Sequence, residues 1–166
     1  MDYLGKHYGF DTYYLDLNSE NYNDVLPKSN WFGFAIANND FDYSDNSLIT
    51  KFIKNSIDRG IFAFHGQGLF GGKIHLTLDL LITQMEVNEN HSEIDVTTIG
   101  NNYTDLANGF WSCYGASCLP DSADYDSIKL VCASFDSINY KDELKSLLTR
   151  FNNGWLPPDN FENKNE

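Results

Sequence analysis

Trp31-Phe32-Gly33-Phe34-Ala35-Ile36-Ala37 is the stretch on which the fold turns. It is a short, unbroken apolar run stopped by the turn-forming Asn38-Asn39-Asp40. Such a run predicts a strand buried on both faces. Downstream, Leu48, Ile49, Phe52, Ile53 and Ile57 recur at three- and four-residue steps, with Gly60 after Arg59 as the stop, and this spacing predicts an amphipathic helix. The same cycle repeats with Ile61–Phe64 as a strand and Ile74, Leu78, Leu81, Ile82 and Met85 as a helical stripe. A third strand is expected over Ile94–Thr98, followed by a helix capped by Thr104 and carrying Leu106, Ala107, Phe110 and Tyr114. A fourth is expected over Ile128–Ala133. Its helix is capped by Asn139, packs through Leu144, Leu147, Leu148 and Phe151, and stops at Gly154.

Strands alternating with helices imply right-handed crossovers and a mainly parallel sheet covered on both faces. The fold class expected is therefore α/β, a single three-layer αβα domain over residues 1–155 with four to five strands. Residues 1–29 are harder to read: Thr12-Tyr13-Tyr14-Leu15-Asp16-Leu17 is a candidate edge strand, and Asn18 to Asn30 reads as polar loop. Residues 156–166, from Leu156-Pro157-Pro158-Asp159 onward, read as a flexible acidic tail. A chain of 166 residues buries about 70% of its unfolded surface, enough for one core. With 42% apolar and 15% aromatic residues it lies outside the disordered class.

Arg59-Gly60, Phe62-Ala63-Phe64-His65-Gly66, Val96-Thr97-Thr98 and Phe110-Trp111 follow one another in an order that resembles a bacterial family of Rossmann-like domains catalogued as a domain of unknown function. The resemblance runs from about residue 32 to 151. It implies a Rossmann-like fold and conveys no activity. The chain departs from the family's pattern by having Ile99-Gly100 after the paired threonines and His65-Gly66 at the second strand end.

Candidate chemistry is sparse. Gly66-Gln67-Gly68-Leu69-Phe70-Gly71 is a literal GxGxxG between a strand and a helix, where backbone N–H groups could hold a pyrophosphate. The acid that such a fingerprint places about 20 residues on, at the end of the next strand, is missing, and a plain turn is the competing reading. As a nucleotide-binding alternative the residues concerned are Gly66, Gly68 and Gly71. His75 and Asp79 share a helix face at i,i+4, the spacing of a metal pair or of a surface ion pair, and His65 is the one histidine positioned to join them. No catalytic residue, metal or cofactor is assigned: GxSxG, HExxH, Walker A and CxxC patterns are missing, and Gly115-Ala116-Ser117-Cys118 lacks the strand a nucleophile elbow requires. Cys113, Cys118 and Cys132 form an odd set, with Cys132 inside a strand as a small hydrophobe. The N-terminus has neither a basic nor an apolar leader segment, and no run is long enough to span a bilayer, so a cytoplasmic protein is expected.

Charge points to the partner. Eleven Lys and Arg face 24 Asp and Glu, net −13, and the excess is uneven. Residues 1–46 and 93–138 each carry −6, whereas 47–92 balance at four acids and four bases. A field of this sign repels nucleic acid and anionic membrane and speeds encounter with a basic protein. The neutral stretch argues against a mimic of DNA charge, which needs acids at regular spacing along a face.

In a parallel sheet the strand-to-helix loops gather at the carboxyl edge. Three of the four combine a tyrosine with acids and amides. Tyr43, Tyr103 and Tyr140 are the expected aromatic centre and Asp40, Asp42 and Asp136 the charged rim of a protein-binding surface. Helix capping competes for some of the loop acids, among them Asp45, Asp105 and Asp142. Asp121, Asp124 and Asp126 with Tyr125 form a second acidic cluster, at the opposite edge. Leu76 and Leu80 point away from the main stripe of their helix and are expected to lie beneath residues 1–29. The combined reading is an acidic, non-catalytic binding protein, by analogy of class an immunity protein for a cognate basic toxin such as a nuclease.

Overall fold

A computed structural model describes residues 1–18, 22–44, 47–88, 93–100, 105–116 and 119–158. The chain runs β1 (Asp2–His7), β2 (Phe10–Leu15), α1 (Tyr22–Val25), β3 (Trp31–Ile36), α2 (Leu48–Asp58), β4 (Ile61–Gln67), α3 (Gly71–Asn88), β5 (Thr97–Gly100), α4 (Leu106–Ala116), β6 (Lys129–Ser134) and α5 (Lys141–Asn152). The strands form one six-stranded sheet in the order β1-β2-β6-β3-β4-β5. Every pairing is parallel except β1 with β2. The molecule is thus a three-layer, Rossmann-like α/β domain.

All six residues of β3 are buried, as the apolar run requires. Its side chains divide by the period-two alternation of a strand. Trp31 and Ala35 join the core under α2 and α3, while Phe32, Phe34 and Ile36 join the core under α4 and α5. Helix α5 carries the predicted stripe, with Leu144, Leu147, Leu148 and Phe151 buried, and α2 buries Ile49, Phe52, Ile53 and Ile57 of its own, whereas Leu48, expected in the same stripe, is exposed at the helix start. Ser47 caps α2 by accepting from the Thr50 N–H at 3.1 Å.

Several expected boundaries move. Thr12–Leu17 is not an edge strand. Its core, Phe10–Leu15, is interior, with β1 outside it and β6 on the other side, so the sheet exceeds four to five strands. β1 turns back through Tyr8 and Gly9, both at positive φ (49° and 89°), the backbone a two-residue hairpin demands. Within 18–30, Tyr22–Val25 makes a helical turn that buries Tyr22, and Leu26 follows it into the core. The third parallel strand starts at Thr97, not Ile94, and ends at Gly100. Ile94 and Val96 pack against the core without joining the ladder. Gly100 ends the strand beside α3, where a Cβ would lie 2.7 Å from that of His75.

Thr104 lies outside the described residues. The carboxylate of Asp105 accepts from the N–H groups of Ala107 (2.8 Å) and Asn108 (3.4 Å) and so caps α4. Asn139 does serve α5, accepting from the Lys141 N–H at 2.9 Å, although Tyr140 stands at the capping position. Leu76 and Leu80 are not covered by residues 1–29: they are 68% and 47% exposed. In residues 156–158, the first of the expected tail, Pro157 is buried and Asn108 donates to the Pro158 carbonyl at 3.1 Å. Residues 159–166 lie outside the described set.

Between β4 and α3 the chain is packed too tightly for side chains. A Cβ on Gly66 would stand 2.4 Å from the Gly71 carbonyl oxygen and 2.9 Å from the Ile74 Cβ. Gly115, near the end of α4, has nothing within 4 Å of its Cβ position. Gly66→Ala should therefore cost at least about 2 kcal/mol by forcing helix and strand apart. Gly115→Ala should instead be neutral or stabilising by about 0.5 kcal/mol. Urea denaturation of the two variants checks the contrast; equal midpoints would contradict the packing.

Candidate functional site

The parallel strands point their carboxyl ends to one edge, and there the chain divides. β3 leads into α2 on one face of the sheet, while its neighbour β6 leads into α5 on the other. Such a divergence leaves a crevice, the usual ligand position in open α/β sheets. Here the crevice between β3 and β6 is closed by the protein itself. Asp136 Oδ1 accepts from the N–H groups of Asn38 and Asn39, both at 2.9 Å, and Oδ2 accepts from the Tyr140 hydroxyl at 3.1 Å. Asn38 Nδ2 donates to that hydroxyl at 3.0 Å, and the Tyr14 hydroxyl accepts from the Tyr140 N–H at 3.3 Å. Burial, with Asp136 alongside, raises the Tyr140 phenol above its usual pKa, so it stays a neutral donor.

The six expected binding residues therefore separate. Asp136 (8% exposed) and Tyr140 (9%) are brought together, but as an internal clasp. Tyr103 lies outside the described residues. Asp40 is ion-paired to Lys73, whose hydrogen bond holds the carboxyl below its ordinary pKa. The Lys73 ammonium also donates to the Phe41 carbonyl at 2.6 Å and sits 4.7 Å and 5.1 Å from the ring centres of Phe41 and Tyr43. Asp42 accepts from the Ser44 hydroxyl (2.6 Å) and N–H (3.0 Å), which lower its pKa and fix its direction at the surface. Asp42 and Tyr43 are exposed side by side.

Two residues outside the expected set join them at this edge. Leu69, between β4 and α3, is 58% exposed, and Ile138, between β6 and α5, is 53% exposed. Ile138 is a single apolar residue within the polar loop Ser137-Ile138-Asn139, and that isolation is its signal; Leu69 stands beside Phe70 in the glycine-rich turn, and only the structure separates the exposed Leu69 from Phe70, which packs against the core. Beside Ile138 a recess of about 140 Å³ opens between the ends of β2 and β6. Asp16, Asp136, Ser134, Ser137 and Asn139 line it, and no cationic side chain does.

The GxGxxG stretch is built differently from a phosphate cradle. Gly66 and Gln67 belong to β4, and Gln67 is buried, donating to the Asp105 carbonyl at 3.2 Å. Only Gly68–Phe70 forms the turn. Gly68 has φ of 98°, and a Cβ there would meet the Ala37 carbonyl oxygen at 2.5 Å. The N–H groups that would face a phosphate are engaged: Leu69 with Asn38 Oδ1 at 3.3 Å, Phe70 with the Ala37 carbonyl at 2.9 Å, and Gly71 with the Gly68 carbonyl at 3.0 Å.

His75 Nε2 lies 3.5 Å from Asp79, and the Thr98 hydroxyl donates to the same carboxylate at 2.8 Å, an arrangement that ties α3 to β5. His65 cannot join them. Its ring lies near Phe32, on the opposite side of the sheet from α3. Among the described residues no group of three or more His, Cys, Asp and Glu gathers with metal-ligand geometry. Cys132 is buried, which raises its thiol pKa far above the ordinary value, and Cys113 is buried as well; Cys118 lies outside the described residues. Among those residues no helix is long and apolar enough to cross a membrane.

At the amino edge, Asp124 is also structural. It accepts from the Ser127 hydroxyl at 2.6 Å, and its backbone is bracketed by the Asn30 side chain through bonds of 2.8 and 2.9 Å. Asp121, Tyr125 and Asp126 are exposed there. Comparison with protein-family models, curated proteins and solved structures finds no match for this chain.

The clasp and the buried histidine each have a measurable signature. Asp136→Ala strands two N–H groups beside a buried phenol, and should lower the unfolding free energy by about 3 kcal/mol. Asp42→Asn should leave the urea midpoint near that of the parent. Burial lowers the His65 pKa from 6.5 to about 4. As pH falls through that window, the unfolded chain binds a proton that the folded chain refuses, so stability declines, by about 3 kcal/mol in all. His65→Gln should flatten the pH dependence of the melting temperature between those limits. An unchanged slope would show that His65 titrates normally.

Proposed function

We propose that the chain is a non-catalytic binding protein that neutralises a basic protein, in the manner of an immunity protein holding a cationic toxin such as a nuclease. The recess beside Ile138 carries this reading. The exposed Asp16 lines a space able to take a lysine or arginine head group, with the clasped Asp136 adding negative charge behind it and an exposed apolar side chain beside it that can cover the aliphatic stem. Tyr43 and Leu69 extend the apolar contact, and Asp42 extends the acidic rim. A net charge of −13 supplies the long-range attraction.

The division of labour follows from physics. Asp40 is paired to Lys73 and contributes little field, whereas Asp16 and Asp42 face solvent and steer. Tyr43 and Ile138 lose the most water on binding and set the lifetime of the complex.

Purification of the native complex at low salt should bring down a basic protein. With that partner, Tyr43→Ala and Ile138→Ala should each weaken binding by about 2 kcal/mol through faster dissociation. Asp16→Asn and Asp42→Asn should slow association and reduce its salt dependence. Recovery of no basic protein would remove the proposal. A large loss in Asp124→Asn, with both apolar variants unaffected, would move the interface to the amino edge.

A further inference from the structure

Helix α3 is apolar on two opposite sides. Ile74, Leu78, Leu81 and Met85 face the sheet and are buried. At 100° per residue, Leu76, Leu80, Thr83 and Val87 fall within about 60° of one another on the other side. All four are exposed, Leu76 and Val87 by 68% and 72%. An apolar stripe is the face a helix buries, and α3 carries a second one, of Leu76, Leu80 and Val87 with Thr83 among them. Among the described residues the outer stripe is left exposed.

Spacing and charge together indicate what covers it. The steps 76-80-83-87 are four, three, four, the alternation of a helix–helix seam, and they read the same in both directions. An antiparallel pair of identical helices, with its axis between residues 80 and 83, sets Leu76 against Val87 of the second copy and Leu80 against Thr83. A self-complementary patch of this kind generates a closed two-fold dimer.

The helix also lacks the field that would attract a basic protein. Its formal charges are Lys73, Asp79 and Glu86, and each is engaged within the chain. Lys73 pairs with Asp40, Asp79 accepts from Thr98, and Glu86 accepts from the Ile94 N–H at 2.8 Å. On a molecule of net −13, a helix of formal net charge −1 is a surface through which another copy approaches against little local repulsion.

We propose that the outer face of α3 is a homodimer interface, antiparallel about residues 80 and 83. From Leu76 to Val87 the stripe gives a seam of about 17 Å, burying a few hundred Å² per chain, less than the roughly 800 Å² of a standard interface. The dimer is consequently weak. It strengthens with salt, which screens repulsion between the two chains; binding of a basic partner weakens with salt.

Sedimentation of the full chain over about a hundredfold range of concentration, at low and high salt, tests this. A monomer–dimer equilibrium favoured by salt is expected. Leu76→Lys alone and Val87→Glu alone should each weaken it at least about tenfold, with melting temperatures near the parent's, since both side chains are at the surface. Combined in one chain they face each other across the axis, and the double variant should recover association to within about threefold of the parent. A monomer at the highest concentration and salt overturns the proposal. So does a dimer that either single variant leaves intact, and a double variant that stays monomeric overturns the antiparallel register.

Discussion

Burial of β3 on both faces is the constraint from which the other layers follow. Because Trp31 and Ala35 belong to one core and Phe32, Phe34 and Ile36 to the other, neither face of the sheet can be left to water. Each must carry helices, and the right-handed crossover rule then decides which ones. β3 to β4 to β5 proceeds in one direction with α2 and α3 on one face. The return from β5 across to β6 places α4 on the other, and α5 follows. The divergence of β3 and β6 at the carboxyl edge is a result of that reversal.

What fills the divergence differs from the arrangement in nucleotide-binding proteins built on open α/β sheets. In those proteins the N–H groups at the crevice wait for a ligand's phosphate. Here the Asp136 carboxylate takes the N–H groups of Asn38 and Asn39, and the glycine-rich turn spends its own on Asn38 and Ala37. The edge is locked before any partner arrives. A preorganised surface loses little entropy on binding, so its exposed groups can contribute their full contact energy.

The legible parts of the sequence were those in which one residue pattern has one physical cause. Runs such as Trp31–Ala37 and Ile128–Ala133 are apolar because they are buried twice. The helical stripes of α2 and α5 are spaced by the helix itself. β1 was not legible, because an edge strand with one buried face shows only Leu4 and His7 among polar neighbours. β5 was displaced because Ile94 and Val96 alternate like strand residues while facing the core from outside the ladder. At the site, Asp40, Asp42 and Asp136 read alike on paper. Tertiary structure sets Lys73 on the first and two backbone amides on the third, whereas the second bonds Ser44, two residues along the chain. Tyr140 and Tyr43 likewise differ in burial, not in sequence context.

The place of β2 in the sheet bears on how the molecule is made. Residues 11–15 pair with residues 129–133, so the β1–β2 hairpin is seated by a strand synthesised more than a hundred residues after it. β3, β4 and β5 are contiguous and can assemble while the chain is still emerging. Phe10 and Tyr14, which end in the core under α5, must wait in water until residue 134 has been released. Closing so long a loop is slow relative to local pairing. The period before it closes is when the nascent chain is most exposed to aggregation, and the repulsion among its many carboxylates acts against that throughout.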